Sequence, residues 1–361
     1  MKKIFKNIMP FLAGAVGGGI LGFLGVKGGV LSGDGSFSLM GMLLGSIFFF
    51  YLSVMVHELG HLVFGWLTGY KFGFFKLGSL SWFKEDGAIR FKRSKNFAAG
   101  QCLMFPQKEE DFKFVLYNLG GGIFNLVLGV LLLGLNIRRM GLGFWNEFIF
   151  AGILINLFFA VTNLVPYQAG LVPNDGANIR EALKSEDAKR GFYLMLASNQ
   201  SLMEGRRYQD LDPALFQLQE EADWDNYFVA YIKLLEVEYL LDRQEYQAAL
   251  ALLDRLEGQQ LQNYYMNSVR VAKLYLLSVY LPDPKAATAI YEDPKVKQFL
   301  KIKLPPFAKF EIAYAAFVKE DLEQARILLK KAKKTMTALP NQGERVMELE
   351  QLQLLEAKME C

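Results

Sequence analysis

Histidine and cysteine are scarce in this chain of 361 residues. It contains two histidines, His57 and His61, and two cysteines, Cys102 and Cys361. Two cysteines so far apart provide neither a disulfide framework nor a Cys-x-x-Cys metal-binding pair. The formal net charge of +3 is close to neutral, so charge gives no reason to expect nucleic acid as a partner. The composition therefore excludes a disulfide-rich scaffold and a cysteine-based zinc module.

Charged residues are also rare in the first 176 residues. The whole chain is 52% hydrophobic with a mean hydropathy of +0.16, which is high for a soluble protein. Four stretches are free of charge over the length of about 20 residues that crosses a bilayer. We therefore predict an α-helical membrane protein with about four transmembrane helices. The candidate spans are Asn7–Val26, Gly35–Val56 (continuing past Glu58, its one charge, to Tyr70), Phe114–Ile137 and Phe148–Asn174.

The distribution of basic residues predicts the orientation of these spans. Three lysines precede the first span, and nine basic residues separate the second span from the third. Because basic loops stay in the cytoplasm, we predict a multi-pass protein of the cell membrane with both termini cytoplasmic. A cleaved signal peptide is the alternative interpretation of the first segment.

The inner loop between the second and third spans predicts a β-hairpin. Its Lys84-Glu85-Asp86-Gly87 segment is typical of a tight turn, because Asp-Gly tolerates the positive φ that such a turn needs. Ala88–Lys92 then alternates apolar and charged side chains at the period of a strand. We expect this hairpin to lie against the membrane surface, and a disordered basic loop is the alternative.

Helical periodicity with an ordinary density of charge begins after Gly176. Glu245–Leu253 and Leu322–Leu329 each follow a longer amphipathic helix and contain an alanine flanked by large residues, as in tetratricopeptide repeats. We predict an N-terminal transmembrane helix over residues 1–34, a membrane core over residues 35–176, and a cytoplasmic all-α, TPR-like domain over residues 177–361. A plain helical bundle is the alternative for the last part.

Both histidines belong to one pentapeptide, His57-Glu58-Leu59-Gly60-His61. On a helix, a spacing of four places both imidazoles on the same face, where they can bind one metal ion. Glu58 is then positioned to act as a general base toward water at that ion. Because ionisable groups inside a span are costly and are usually functional, we interpret this segment as part of a zinc site.

A catalytic zinc site needs a third protein ligand and an open position. No third histidine exists and neither cysteine is well placed, so the ligand must be a carboxylate. Asp175 follows an uncharged run of 27 residues at the cytoplasmic end of the fourth span. Pro166 ends the preceding helix, and Gly176 gives the backbone freedom to turn the carboxylate inward. Asp175 is our predicted third ligand, Glu181 is the second candidate, and a mere cap on a helix over Ala177–Leu183 is the alternative role of Asp175.

Two further segments are similar to motifs of a known family. They are Gly121-Gly122-Ile123-Phe124-Asn125, and Asn163-Leu164-Val165-Pro166 followed by Asp175-Gly176. Together with the pentapeptide they resemble the site-2 proteases, the intramembrane zinc metalloproteases, over roughly residues 35–185. The segment between Pro166 and Asp175 is longer than this family usually has.

The resemblance implies specific roles. It implies zinc as the cofactor with His57, His61 and Asp175 as its ligands, Glu58 as the catalytic acid/base, and Asn125 as a substrate-orienting or oxyanion-stabilising group. It also implies that the inner-loop hairpin pairs with an unwound strand of the substrate. The alternative for Asn125 is a structural amide that bonds across helices beside a glycine contact.

The expected function is therefore that of a zinc metalloendopeptidase in regulated intramembrane proteolysis. Its substrate would be a membrane-embedded protein, or a signal or pheromone peptide, cleaved in or near a transmembrane segment. The C-terminal helices would bind a cytoplasmic protein or peptide, and no nucleic acid is expected. The alternative is a non-proteolytic membrane receptor or scaffold with a structural zinc site and a helical partner-binding array.

Overall fold

The computed structural model describes residues 38–360, apart from 86–87, 138–142, 170–171, 303, 337–338 and 340–341. The predicted first span, Asn7–Val26, and the predicted turn residues Asp86 and Gly87 lie outside the described residues. The chain divides into two compact units, Met1–Arg180 (unit 1) and Glu181–Cys361 (unit 2).

Unit 1 contains three long helices: α1 (Leu39–Leu67), α2 (Phe114–Ile137) and α3 (Phe144–Leu164). Each is long and apolar enough to cross a membrane, and they correspond to the second, third and fourth predicted spans. The fourth span was predicted to reach Asn174, but the helix ends at Leu164. The reason is Pro166, which lacks an amide hydrogen and disfavours helical backbone in the residue before it.

Glycines allow α1 to pack closely on its two neighbours. A Cβ atom at Gly45 would lie 2.6 Å from the backbone oxygen of Phe148, and one at Gly120 would lie 2.5 Å from the backbone oxygen of Gly60. Both distances are shorter than a van der Waals contact, so a larger residue would push the helices apart. Small residues of this kind are typical of contacts between transmembrane helices. The contact at Gly60 brings α2 against the turn of α1 that carries both histidines.

An antiparallel β-hairpin follows α1. Its strands are β1 (Lys71–Glu85) and β2 (Ala88–Phe105), and Phe75 pairs with Cys102 in their register. The hairpin is longer than the alternation over Ala88–Lys92 predicts, because the second half of β2 packs along α1. There the fully buried Met104 contacts Gly65. The base of the hairpin therefore lies beside the helix that carries the histidines.

A short excursion joins α3 to the next helix. Two-residue strands, β3 (Gln168–Ala169) and β4 (Val172–Pro173), pair with each other. Helix α4 (Asp175–Ala182) then begins with the predicted third ligand in its first turn.

Unit 2 is built from helices, most of which are joined by short turns; a longer segment with two 3-10 helices, Tyr208–Asp210 and Pro213–Phe216, connects the first helix to the second. Most neighbouring helices pack on one another along the chain, and the last one, α13, also packs on the first, α5. The helices are α5 (Glu186–Met203), α6 (Tyr227–Asp242), α7 (Tyr246–Glu257), α8 (Asn263–Val279), α9 (Pro284–Glu292), α10 (Pro294–Leu300), α11 (Ala308–Phe317), α12 (Leu322–Met336) and α13 (Gln342–Glu360).

The predicted helical pairs of unit 2 are present as α6 with α7 and α11 with α12. Ala249 in α7 and Ala325 in α12 are fully buried, which agrees with the close helix contact that their small side chains predict. The tetratricopeptide-like character of the array stays a prediction.

Unit 2 also contains a buried ion pair. Lys309 Nζ lies 2.8 Å from Oε1 of Glu348, and both side chains are almost fully buried. Burial alone would lower the pKa of Lys309, but Glu348 and Glu238 raise it above its ordinary value. Burial raises the pKa of Glu238, an effect that Lys309 only partly offsets. Glu348 is therefore paired with Lys309, whereas the main effect on Glu238 is desolvation by burial.

Candidate metal centre

His57 and His61 lie one turn apart on the side of α1 that faces α2. They are 9% and 7% exposed, respectively. Their Nε2 atoms are 3.1 Å apart, and the rings are nearly perpendicular at 83°. The helical spacing thus brings together the two nitrogens that the sequence predicts as ligands.

Helix α2 engages the other nitrogen of each imidazole. His57 Nδ1 lies 3.0 Å from Oδ1 of Asn125, and His61 Nδ1 lies 2.9 Å from the backbone oxygen of Tyr117. Because both partners are oxygens that accept, each Nδ1 carries the hydrogen and donates it. In the neutral imidazoles this fixes the tautomer, so each Nε2 presents a lone pair to the space between the rings.

Asp175 completes a triangle of potential ligand atoms. Its Oδ2 lies 3.3 Å from Nε2 of His57 and 3.3 Å from Nε2 of His61. A tetrahedral zinc ion with ligands at about 2.0–2.1 Å holds them about 3.3–3.4 Å apart. The edges of the triangle therefore match the distances between three ligands of a tetrahedral zinc ion. Among the described residues, His57, His61 and Asp175 are the group of side chains able to share one metal ion.

Three acceptor atoms that converge in this way could be satisfied by a cation or a proton between them. Asp175 Oδ2 is buried without a hydrogen-bond partner among the described residues. A divalent cation is the simplest group that satisfies all three acceptors at these distances.

The connection between α3 and α4 brings Asp175 to the histidines. The paired strands β3 and β4 form part of this connection, and Asn174 follows them. Its Oδ1 accepts from the amide of Tyr167 at 3.0 Å, and its Nδ2 donates to the backbone oxygen of Val165 at 2.7 Å. The chain thus returns to the end of α3, so the longer segment after Pro166 does not displace Asp175.

Two details at this junction differ from the sequence analysis. Asn174 caps α4, because its Oδ1 also accepts from the amide of Ala177 at 2.8 Å, and Asp175 is thereby free of that role. Gly176 does not adopt a positive φ. Its Cβ would instead lie 2.9 Å from the carbonyl carbon of Leu164. The glycine therefore serves close approach of α4 to α3, and not backbone freedom.

Glu58 lies beside the first ligand and is 8% exposed. Strand β2 forms the adjacent wall, since a Cβ at Gly100 would lie 2.8 Å from Cγ and from Oε1 of Glu58. Tyr117 fastens the strand to α2, because its hydroxyl donates to the backbone oxygen of Cys102 at 3.0 Å. The strand and the carboxylate are therefore held in a fixed relation.

The second carboxylate candidate, Glu181, is engaged elsewhere. Its Oε2 lies 2.6 Å from Nζ of Lys184 and accepts from Nδ2 of Asn226 at 3.4 Å. Glu181 belongs to unit 2, and the metal-binding group contains Asp175 instead. Cys102 is a buried free cysteine and is not part of that group.

Asn125 is fully buried, and its contacts are within the protein. Its Nδ2 donates to the backbone oxygen of Ser53 at 2.9 Å and to Oδ1 of Asn156 at 3.1 Å. Its Oδ1 accepts from His57. The described contact of Asn125 is thus with a candidate metal ligand, and a direct role toward substrate stays a prediction.

The sequence analysis did not assign a role to several residues that support the site. Gly121 leaves room for His57, because a Cβ there would lie 2.6 Å from Nδ1 of that ring. Asn156 is a lone amide within an apolar span, a signal that could have marked it in advance. Tyr117 contributes a backbone oxygen to His61, and no side-chain pattern predicts such a contact.

No family model, curated protein or solved structure matches the chain.

Proposed function

We propose that unit 1 is an intramembrane zinc metalloprotease of the site-2 type. The observation that carries this proposal is the triangle of His57, His61 and Asp175, whose edges of 3.1–3.3 Å suit a tetrahedral ion with one open position. Glu58 lies directly beside it. The three helices that frame the site are apolar enough to cross a membrane, which supports an active site within the bilayer.

The proposed chemistry divides between the ion and the chain. A zinc ion held by the three ligands supplies Lewis-acid chemistry, polarising a peptide carbonyl and acidifying water. Glu58 takes the proton of the attacking water and returns it to the leaving amine. The hydrogen bonds to both Nδ1 atoms keep the histidines in the tautomer that binds metal.

Strand β2 supports a proposal for substrate binding. Its Gly100 contacts Glu58, so the hairpin backbone lies beside the candidate general base. A substrate helix hides its carbonyl groups, and local unwinding would let the exposed strand pair with a free edge of the hairpin. The substrate class is a membrane-embedded protein, or a signal or pheromone peptide.

Unit 2, as a TPR-like array, would bind a cytoplasmic protein or peptide, and both termini would be cytoplasmic.

The alternative is a receptor or scaffold in which zinc only holds the helices together. A structural zinc site takes four protein ligands, whereas the described residues bring together three. A buried glutamate beside the ligands also has no purpose in a purely structural site. Binding of a hydroxamate to the zinc-loaded chain separates the two functions, because it requires an open coordination position.

Substitution of Glu58 tests the proposal. We expect Glu58→Gln to abolish cleavage of membrane substrates while zinc content stays at the wild-type level. Substrates are found by comparing membrane proteomes of cells that express either form. Glu147→Gln is the matched control, because Glu147 is likewise buried, at 3% exposure, but lies in the first turn of α3. Equal cleavage by the wild-type and Glu58→Gln chains would refute proteolysis at this site.

A further inference from the structure

A chain of side-chain amides leads from α3 to the first histidine. Asn156 donates through Nδ2 to the backbone oxygen of Gly152 at 2.9 Å and accepts through Oδ1 from Asn125 at 3.1 Å. Asn125 in turn accepts from His57 Nδ1 at 3.0 Å. Both asparagines are 0% exposed, so no solvent competes for these hydrogen bonds.

The backbone oxygens fix the direction of every bond in this chain. Gly152 and Ser53 each present a carbonyl oxygen, which can only accept, so the amide nitrogens of Asn156 and Asn125 face them. If the Asn156 amide were reversed, it would lose its bond to Gly152 and would face the nitrogen of Asn125 with another nitrogen. Asn156 and the Ser53 carbonyl therefore together determine which end of the Asn125 amide points at His57.

The orientation of Asn125 decides how His57 can bind a metal. With Oδ1 toward the ring, His57 Nδ1 must carry the hydrogen, and Nε2 keeps its lone pair for the ion. With the amide reversed, Nδ1 would become the acceptor and Nε2 would carry the hydrogen. His61 does not depend on this chain, because a backbone oxygen holds its Nδ1. The effect is thus specific to one of the two ligands.

A direct contact between Asn125 and substrate conflicts with this bonding. Both hydrogens of its amide are donated within the protein, one to Ser53 and one to Asn156. No donor is left for a developing oxyanion, and the residue has no exposed surface. Its influence on the reaction must therefore pass through His57.

We propose that Asn156 is a positioning residue for the metal site, acting through Asn125 to hold His57 in its metal-binding tautomer. The proposal requires a metal at the triangle but does not require proteolysis. Its failure is distinguishable from failure of the proposed function, because zinc binding and histidine tautomers are measured without any substrate.

Zinc affinity of the full-length chain in lipid nanodiscs, measured by competition with a chelator, gives the first test. Loss of a hydrogen-bond partner of a ligating histidine weakens metal binding about 10–100-fold. We expect Asn125→Leu to fall within that range and Asn156→Leu near its lower end, about 10-fold. The double variant should match Asn125→Leu alone, since Asn156 acts only through Asn125.

Asn118→Leu is the matched control. Asn118 is 2% exposed, and its amide donates to the backbone oxygen of Phe114 one turn earlier at 2.7 Å, as Asn156 does to Gly152. Among the described residues, Asn118 forms no hydrogen bond with Asn125, Asn156 or either histidine. We expect unchanged zinc affinity in Asn118→Leu. An equal loss in Asn118→Leu and Asn156→Leu would show a general packing effect and would overturn the proposal.

The scarcity of histidine permits a second test that is independent of metal affinity. With ¹⁵N-labelled histidine, the metal-free chain gives ring signals from His57 and His61 alone. We expect Nδ1 of both rings to carry a hydrogen in the wild-type chain, because each Nδ1 faces an oxygen. Asn156→Leu should convert His57 to a mixture of tautomers and leave His61 unchanged. A single Nδ1–H tautomer for His57 in Asn156→Leu would contradict the proposal, even if the variant folds poorly enough to lose zinc.

Discussion

Replacing Gly121 with alanine should damage the metal site without touching a ligand. The added methyl group would lie 2.6 Å from Nδ1 and 2.7 Å from Nε2 of His57. Non-bonded heavy atoms prefer about 3.5–4.0 Å, so the ring or helix α2 must retreat by about 1 Å. Movement of α2 away from the ring would also disturb the site, because Asn125 on the same helix forms a hydrogen bond with His57.

The consequence follows from the tolerance of metal and catalytic sites. These sites require geometry within about 0.5 Å, and a misplacement of about 1 Å can reduce a rate about 100-fold. We expect Gly121→Ala to weaken zinc binding at least about 10-fold, as loss of a ligand's support does, and to abolish detectable cleavage. Chelator competition on the purified chain measures the first effect.

Gly134→Ala is the matched control in the same helix. Among the described residues, no atom outside the neighbouring backbone of α2 lies within 4 Å of the position that its Cβ would occupy. Alanine in a helix is more favourable than glycine by about 0.5–1 kcal/mol, so this variant should be as stable as the wild type or more stable, with full zinc affinity. Wild-type zinc affinity in Gly121→Ala would refute the placement of His57 against α2.

Three further predictions concern the junction after α3 and the interior of unit 2. Asn174→Ala removes the cap of α4 and should cost about 1 kcal/mol of stability, with weaker zinc binding because Asp175 is the next residue; thermal unfolding and chelator competition measure the two effects. Glu348→Gln leaves Lys309 buried without its charged partner and should lower the free energy of unfolding by about 3–5 kcal/mol, as measured in denaturant. Glu238→Gln should instead raise the free energy of unfolding. The folded pKa of Glu238 is raised above its ordinary value of 4.5, so its ionised form destabilises the fold, and this loss sets in as pH rises above 4.5. The thermal midpoint of Glu238→Gln should therefore exceed that of the wild type at pH 7.5, and the difference should shrink toward pH 4.5; an equal difference at both pH values would contradict the assignment.

The sequence predicted those parts of the fold that depend on local pattern. Apolar run length located α1, α2 and α3, and the helical spacing of His57 and His61 predicted that their nitrogens meet. Asp175 could be named because few carboxylates follow an uncharged span. These inferences required only periodicity, composition and the coordination chemistry of zinc.

Features that depend on tertiary contact could not be predicted in this way. Strand β2 extends to Phe105 because α1 covers it, although its own alternation is clear only over Ala88–Lys92. Gly176 was expected to supply backbone freedom, whereas it allows α4 to approach Leu164. The role of Asn174 depends on a hairpin of two-residue strands, which carries too little pattern to be recognised from sequence.

Asn125 has contacts that no motif specifies. The resemblance to the site-2 proteases implies a substrate-orienting role, which stays a prediction, and the described contacts of its amide are with His57, Ser53 and Asn156. Its partner Asn156 lies 31 positions away, and no spacing rule connects the two. Only the packing of α2 against α3 reveals that they act on His57 together.

The metal content of the purified full-length chain tests the central claim most directly. Elemental analysis combined with X-ray absorption should find one zinc ion per chain, with nitrogen and oxygen ligands at about 2.0–2.1 Å. Glu58→Gln should retain the ion, and Asp175→Ala should lose it. A wild-type chain that binds no zinc, or an Asp175→Ala chain that binds it as tightly as the wild type, would contradict the account.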